Sequence, residues 1–292
     1  MTPAPEHPLV CATTFEPSAE QLRSLLSQLR QLSTEPVVFD NSSMTAQHVE
    51  ARCLEFGVRY LRSGANVGTA GALNRFLQMA HLEGRNWLLY FDQDSRVSSG
   101  YAELVRSALG LVHARVAMLG SRISQLGDAG RTLNLSNRFN DSNFVIASGT
   151  LIRVTALLDV GGFDQDFRLD LVDHEACLRL RSLGWLIAVD QQRVVEHEIG
   201  RCSVRIPIIG VRVSRHPWWR RQAMWRNSVV LVKRYFWLSP TICVRHLLGR
   251  AVETLAASLY FRDTRYLTTA ARGLAEGCRG GATRSSWLLK SW

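Results

Sequence analysis

Apolar positions along the first 120 residues come in two rhythms. Short unbroken apolar runs alternate with stretches in which apolar residues recur every three or four positions. Leu9 to Thr13 reads as a strand. Ser18 to Leu32 carries Leu22, Leu25, Leu26, Leu29 and Leu32, the spacing of one helix face. Pro36 to Asp40 predicts a second strand, Ala46 to Phe56 a second helix and Val58 to Leu61 a third strand. A glycine-rich turn and a helix over Ala70 to Leu82 follow. Trp87 to Phe91 is a wholly apolar fourth strand that ends on Asp92. This alternation predicts βαβ units, a parallel sheet and an α/β fold. Ligands of such sheets bind at the carboxyl ends of the strands, where Asp40, the Gly64–Gly71 turn and Asp92 all fall.

From about residue 115 to 200 the pattern is more mixed. It predicts a strand at Val116 to Leu119, a polar loop near 124–143, a strand at Phe144 to Ala147, a helix at Asp173 to Leu183 and a strand at Trp185 to Val189. After residue 215 the reading is mainly helical, with Trp218, Trp219, Trp225 and Trp237 among many arginines. Two regions are expected: a catalytic domain over 1–215 and a basic, helical extension over 216–292.

Composition narrows the picture only where it departs from average. With 46% hydrophobic and 21% charged residues among 292, the chain can bury a sizeable core. The first eight residues lack a basic region followed by an apolar core, so no secretory signal is expected. No window reaches 18 uncharged apolar residues, so no spanning helix is expected either. Cys11, Cys53, Cys177, Cys202, Cys243 and Cys278 include no close pair, which suggests neither a zinc site nor a disulfide framework and fits a reducing cytoplasm. Charge is uneven. Residues 201–292 hold 17 Lys and Arg against three acids, net +14, whereas residues 1–200 are net −4. The basic third suggests an anionic partner surface.

Several clusters could carry chemistry. Asp92-Gln93-Asp94 sets two carboxylates one residue apart beyond a buried strand. Hard divalent cations take such oxygen ligands and keep sites for substrate phosphates; alone, the same residues also suit a solvated turn. Asp40-Asn41-Ser42-Ser43 could accept hydrogen bonds from a base or ribose, or form an ordinary turn and cap. Gly64 to Gly71 lacks the dinucleotide spacing and follows the third strand, so it suggests a tight turn, with a diphosphate or simple packing as its reason. Asp170-Leu171-Val172-Asp173-His174-Glu175 is an acidic helix start from which one carboxylate could take a proton from a hydroxyl. His197 could be a metal or diphosphate ligand or a structural histidine. Arg226-Asn227 offers a bidentate phosphate grip.

In chain order these motifs resemble a family 2 inverting glycosyltransferase of the GT-A type, with a Rossmann-like, mostly parallel sheet flanked by helices. The motifs are Phe39-Asp40-Asn41-Ser42-Ser43, Asn66 to Asn74, Phe91-Asp92-Gln93-Asp94-Ser95, Ser148 to Ile152, Val160 to Asp164, Val172 to Glu175 and His197 to Gly200. The resemblance runs from about Leu9 to Tyr235. The Asp-Gln-Asp-Ser form points toward bacterial rhamnosyltransferases of O-antigen and related polysaccharide assembly.

The resemblance implies the following roles. Thr13, Phe15 and Asp40 lie at the base of the nucleotide, with Asn66, Gly68, Asn74, Asp92 and Gln93 on the donor. Asp92, Asp94 and His197 hold a divalent metal, Mg²⁺ or Mn²⁺. Asp173 is the catalytic base, Ser148 and Gly149 line the acceptor region, and Arg226 with Asn227 meets the diphosphate. Where the family often reads Glu-Asp this chain has Val172-Asp173, so Asp170 or Glu175 could share the base role. The segment before Arg226, often Tyr-rich in the family, reads Gln222-Ala223-Met224-Trp225.

The expected donor is a nucleotide sugar, dTDP-rhamnose ahead of UDP-hexoses. The expected acceptor is a saccharide or lipid-linked saccharide at the inner face of the cytoplasmic membrane. Other classes fit less well. A nicotinamide oxidoreductase needs glycines after the first strand, where the chain reads Thr13-Thr14-Phe15-Glu16-Pro17-Ser18. A nucleic-acid binder is at odds with the net-negative first 200 residues. An inactive interaction module is at odds with the full set of acids.

Overall fold

The computed structural model describes residues 7–124, 138–197, 203–205 and 212–280. Two compact units divide the chain, Met1–Glu198 and Ile199–Trp292. The first opens with β1 (Leu9–Thr14), α1 (Ala19–Leu32), β2 (Val37–Asp40), α2 (Ala46–Glu55), β3 (Arg59–Arg62), α3 (Gly68–Leu82) and β4 (Trp87–Asp92). It continues with β5 (Ser95–Val97), α4 (Tyr101–Leu111), β6 (Val116–Ser124), β7 (Phe139–Asp141), β8 (Thr150–Arg153), α5 (Val154–Asp159), α6 (Val172–Ser182) and β9 (Leu186–His197).

These strands form one nine-stranded sheet in the order β3-β2-β1-β4-β8-β6-β9-β5, with β7 also on β9. The run β3-β2-β1-β4 is parallel, as the βαβ alternation requires. The other half is mixed: β8 runs antiparallel to both β4 and β6, and β6 is parallel to β9. The sheet therefore departs from a mostly parallel arrangement beyond β4.

Strands β1 and β4 are buried on both faces, which is why their sequences are apolar without alternation. Val10, Ala12, Leu89 and Phe91 share a core with Leu22, Leu25, Leu26 and Leu29 of α1. On the α3 side, Phe76 meets Phe39 edge-on at 6.3 Å and Tyr90 at 6.4 Å. Helix α1 starts at a capping box, in which Ser18 and Gln21 bond each other's backbone N–H.

The expected strand at Phe144 to Ala147 is absent, and β8 begins at Thr150 instead. Backbone groups of this segment bond side chains in place of a neighbouring strand. Ala147 N donates to Asp173, Ile146 O accepts from Thr150 Oγ1, and Phe144 O accepts from Ser142 Oγ. Strand β9 runs well beyond Val189 and bulges between Asp190 and Val194 against β6. Most of the expected 124–143 loop lies outside the described residues, and β7 forms its end.

The second unit holds the hairpin of β10 (Ser203–Arg205) and β11 (Arg212–Ser214), then α7 (Trp218–Tyr235), α8 (Pro240–Phe261) and α9 (Arg265–Arg279). Helix α9 sits tightly on α7: a Cβ on Gly273 would meet Gln222 O at 2.4 Å, and one on Gly277 would meet Arg226 O at 2.8 Å. Helix α8 is tied to α7 by Arg221 with Glu253 at 2.9 Å and by Trp225 Nε1 donating to Thr254 at 3.1 Å. Of the five described cysteines, all free thiols, Cys11, Cys53, Cys177 and Cys243 are buried and Cys278 is exposed. No helix among the described residues is long and apolar enough to cross a membrane.

Candidate active site

Register gathers the first group. Thr13 pairs with Asp92 across β1 and β4, and Thr14 pairs with Asp40 across β1 and β2. The carboxyl ends of three adjacent strands thus bring the predicted residues to one edge. Tyr90 Oη donates to Asp92 Oδ1 at 2.8 Å and lies 2.6 Å from Thr13 Oγ1. With the phenolic proton given to Asp92, Thr13 is the donor to Tyr90. Burial, then the Asp92 charge, pushes the Tyr90 phenol well above its ordinary pKa, so it stays a neutral donor.

Phe15 stands at the same edge, 48% exposed. Gln93 holds its backbone from both sides: Phe15 N donates to Gln93 Oε1 at 2.7 Å, and Gln93 Nε2 donates to Phe15 O at 3.3 Å. Asp40 is fully buried. Its Oδ1 accepts from Thr14 Oγ1, Ser42 N and Ser42 Oγ, and its Oδ2 from Tyr60 at 3.2 Å. It organises the floor of this edge. The turn after β2 is capped by Glu16, two residues past the end of β1, whose carboxylate accepts from the N–H groups of Ser43, Met44 and Thr45 at 2.7–3.0 Å. These bonds, led by that from Met44, hold the Glu16 carboxyl below the usual range. Glu16 therefore supplies the anion at the start of α2, a role that sequence spacing did not indicate.

The start of α3 is likewise occupied by protein groups. Val67 N donates to Asn41, Gly68 N to Asn66, and Ala70 N to Arg168 O. Gly68, at φ +71°, lies so close to the 168 backbone that a Cβ would be 2.5 Å from Arg168 O. Asn74 clasps the N–H and C=O of Phe163 at 2.7 and 2.8 Å, fixing the Gly161–Phe163 turn. Asn66, Gly68 and Asn74 thus hold loops together.

A single loop joins the two acidic groups. Asp92 N donates to Ser148 Oγ at 3.1 Å, and Ser148 Oγ is 2.5 Å from Ser95 Oγ. One residue earlier, Ala147 N donates to Asp173 Oδ2 at 3.0 Å. Gly149, at φ +72°, has its carbonyl gripped by Ser121, Tyr101 and the buried Arg193. A Cβ there would sit 2.3 Å from Val195. Arg193 is fully buried and paired with Asp190 at 3.1 Å; it also donates to Leu119 and Gly120 carbonyls.

Asp173 sits at the start of α6. Its Oδ1 accepts from the His174 N–H and faces His174 Nδ1, each at 2.9 Å. The ring nitrogen is the donor, because an ionised carboxylate only accepts. His174 in turn packs against Phe144, ring centroids 4.6 Å apart. Burial alone would raise the Asp173 pKa. The His174 charge and ring bond, with the Ala147 and His174 N–H groups, outweigh it and hold the carboxyl below the ordinary aspartate value. Asp173 is ionised at neutral pH and can accept a proton.

The other predicted acids sit differently. Glu175 is fully buried and bonds Arg179 at 2.9 Å, while Arg179 braces the Val160 and Gly162 carbonyls. Asp170 is half-buried in the loop before α6. His197 pairs through its backbone with Ser95, next to Asp94, and its side chain lies outside the described set. Arg226 and Asn227 are on α7 of the second unit, where Arg226 Nη1 donates to Asn227 Oδ1 at 2.9 Å.

Asp92, the last residue of β4, and Asp94, on the turn to β5, are both partly exposed. Among the described residues no three His, Cys, Asp or Glu side chains converge as a complete metal cage. Two carboxylates nevertheless fit Mg²⁺ or Mn²⁺, which ordinarily use one or two carboxylates with water and substrate phosphates.

Comparison with known proteins bears on the family and the fold. The glycosyl transferase family 2 model matches residues 17–154. The chain is 25% identical over 235 residues to dTDP-rhamnosyl transferase RfbF of Shigella flexneri, covering 76% of this chain and 78% of that protein. Its fold is similar to mannosyltransferase PcManGT from Pyrobaculum calidifontis, solved with GDP-Man and Mn²⁺. The TM-score is 0.58 and the identity 15%, over 97% of this chain and 78% of that one. S. aureus TarS 1–349, solved with UDP-GlcNAc, aligns at TM-score 0.53 and 13% identity over 97% of this chain and 75% of that one. Against a longer TarS chain, this chain spans 39% of its length. The fold is that of the GT-A glycosyltransferases, and residues 17–154 within it match the glycosyl transferase family 2 model.

Proposed function

We propose that the chain transfers L-rhamnose from dTDP-rhamnose, with inversion, to a hydroxyl of a saccharide or lipid-linked saccharide in polysaccharide assembly such as that of O-antigen. The observation that carries the chemistry is the 147–148 loop, which bonds Asp92 through Ser148 and Asp173 through Ala147. Two adjacent residues thus hold the backbone of a phosphate-side aspartate and the carboxylate of a base-side one. The likeness to a dTDP-rhamnosyl transferase supports the donor.

In this reading the base of the nucleotide meets Thr13 and the exposed ring of Phe15, over a floor organised by Asp40. Asp92 and Asp94, with His197, hold Mg²⁺ or Mn²⁺, which when bound offsets charge on the departing diphosphate. The acceptor hydroxyl attacks the anomeric carbon while Asp173 takes its proton. The bond to the diphosphate breaks, and the diphosphate leaves with the bonding pair. Ser148 and Gly149 place the acceptor side. The basic second unit keeps the enzyme peripheral, at an anionic membrane surface on the cytoplasmic side.

The test is calorimetric binding of dTDP and UDP, with and without Mn²⁺ or Mg²⁺, beside transfer assays. The expected result is metal-dependent dTDP binding that Asp94→Ala abolishes. Asp173→Asn keeps that binding and loses about 10²–10⁴-fold in turnover. Preference for UDP would reassign the donor to a UDP-hexose. Equal loss of binding and turnover in Asp173→Asn would remove it as the base.

A further inference from the structure

Helix α8 buries its small residues and exposes its large ones. Cys243, Ala256, Ala257 and Ser258 are buried, whereas Val244, Leu248, Val252, Leu255 and Leu259 are 44%, 60%, 45%, 53% and 79% exposed. At 3.6 residues per turn these five fall within an arc of roughly 80° and run for about 22 Å. Glu253 and Thr254, which bond α7, lie well away from that arc. The stripe is therefore an outer face, and its continuity marks it as an interaction surface rather than scattered exposure.

Charge decides what covers it. Arg245 stands exposed at the margin of the stripe, and exposed Arg262 follows its last turn. Residues 201–292 carry 17 basic residues against three acids. A second copy of this chain would bring the same positive charge to the same face, whereas an anionic headgroup layer would neutralise it. Trp237, 91% exposed, and Leu238, 53% exposed, precede the helix and add a ring of the kind that settles at the water–lipid boundary. No described helix is built to cross a bilayer.

We propose that α8 lies in the surface of an anionic phospholipid bilayer, with its Val244–Leu259 stripe in the apolar edge and Arg245 and Arg262 on the headgroups. This rests on the peripheral-membrane reading above and names the element that makes the contact.

The test is co-sedimentation of the full chain with vesicles of phosphatidylcholine alone or mixed with phosphatidylglycerol. Wild type is expected to sediment with the anionic vesicles, and Leu248→Ser/Leu255→Ser to partition about tenfold less or weaker still. Its thermal melt should be unchanged, since the altered side chains are exposed; Leu259→Ser is the second variant should the double one fail to fold. Binding of both variants equal to wild type would leave the anionic surface as partner and overturn the role of α8. No vesicle binding by wild type would overturn both. A wild-type dimer that the double variant breaks to monomers would assign the stripe to a second copy and overturn the proposal.

Discussion

Tyr90 donates its phenolic proton to Asp92, two residues further along the same strand, at 2.8 Å. The two side chains point to one face because strand side chains alternate. This bond orients the first carboxylate of Asp92-Gln93-Asp94 before any ligand arrives. Tyr90→Phe should weaken metal-dependent dTDP binding by roughly three- to tenfold, the worth of one ordinary hydrogen bond. Calorimetry on wild type and variant reads this directly, and an unchanged dissociation constant would show that Asp92 needs no such support.

His174 sets the acidity of Asp173 through a charge, a ring bond and a backbone bond. Asp173 works as a base only when ionised, so activity falls as pH drops through its pKa, which lies below the ordinary aspartate value. His174→Ala removes the ring and leaves burial, which raises the pKa. The acid limb of the kcat profile should then move to higher pH, with turnover at neutral pH only a few-fold lower. A limb that stays in place would mean that His174 serves only to pack against Phe144.

Gly149 occupies the left-handed region with no room for a side chain. Gly149→Ala must strain the backbone and displace Val195 from its 2.3 Å approach to the added Cβ. A loss of about 1–3 kcal/mol in unfolding free energy is expected. Turnover should fall with it, since the neighbouring Ala147 and Ser148 bond Asp173 and Asp92. Denaturant melts with parallel assays check both, and a stable, fully active variant would contradict the packing described.

How much of this was legible beforehand follows from the range of the forces involved. The elements from Leu9 to Asp92 were readable because continuous apolar strands and a 3.6-residue helical period are written locally. Asp40 and Asp92 stood out as strand ends for the same reason. The Phe144–Ala147 segment misled, since apolar and β-prone residues look alike in a strand and in a loop whose backbone bonds side chains. Glu16 capping a turn 27 residues later, Asn74 clasping Phe163 and buried Arg193 gripping Gly149 leave no local periodicity to read.

The sequence by itself determined that this chain builds a βαβ sheet, where its acids cluster, and that its last third is strongly basic. Tertiary structure alone decided that Thr13 faces Asp92, that the 147–148 loop bonds both Asp92 and Asp173, and that α8 turns its leucines outward. The physical reason is that periodicity and charge are sums over neighbours in the chain. Register, buried hydrogen bonds and the choice of exposed face depend on partners brought close only by folding.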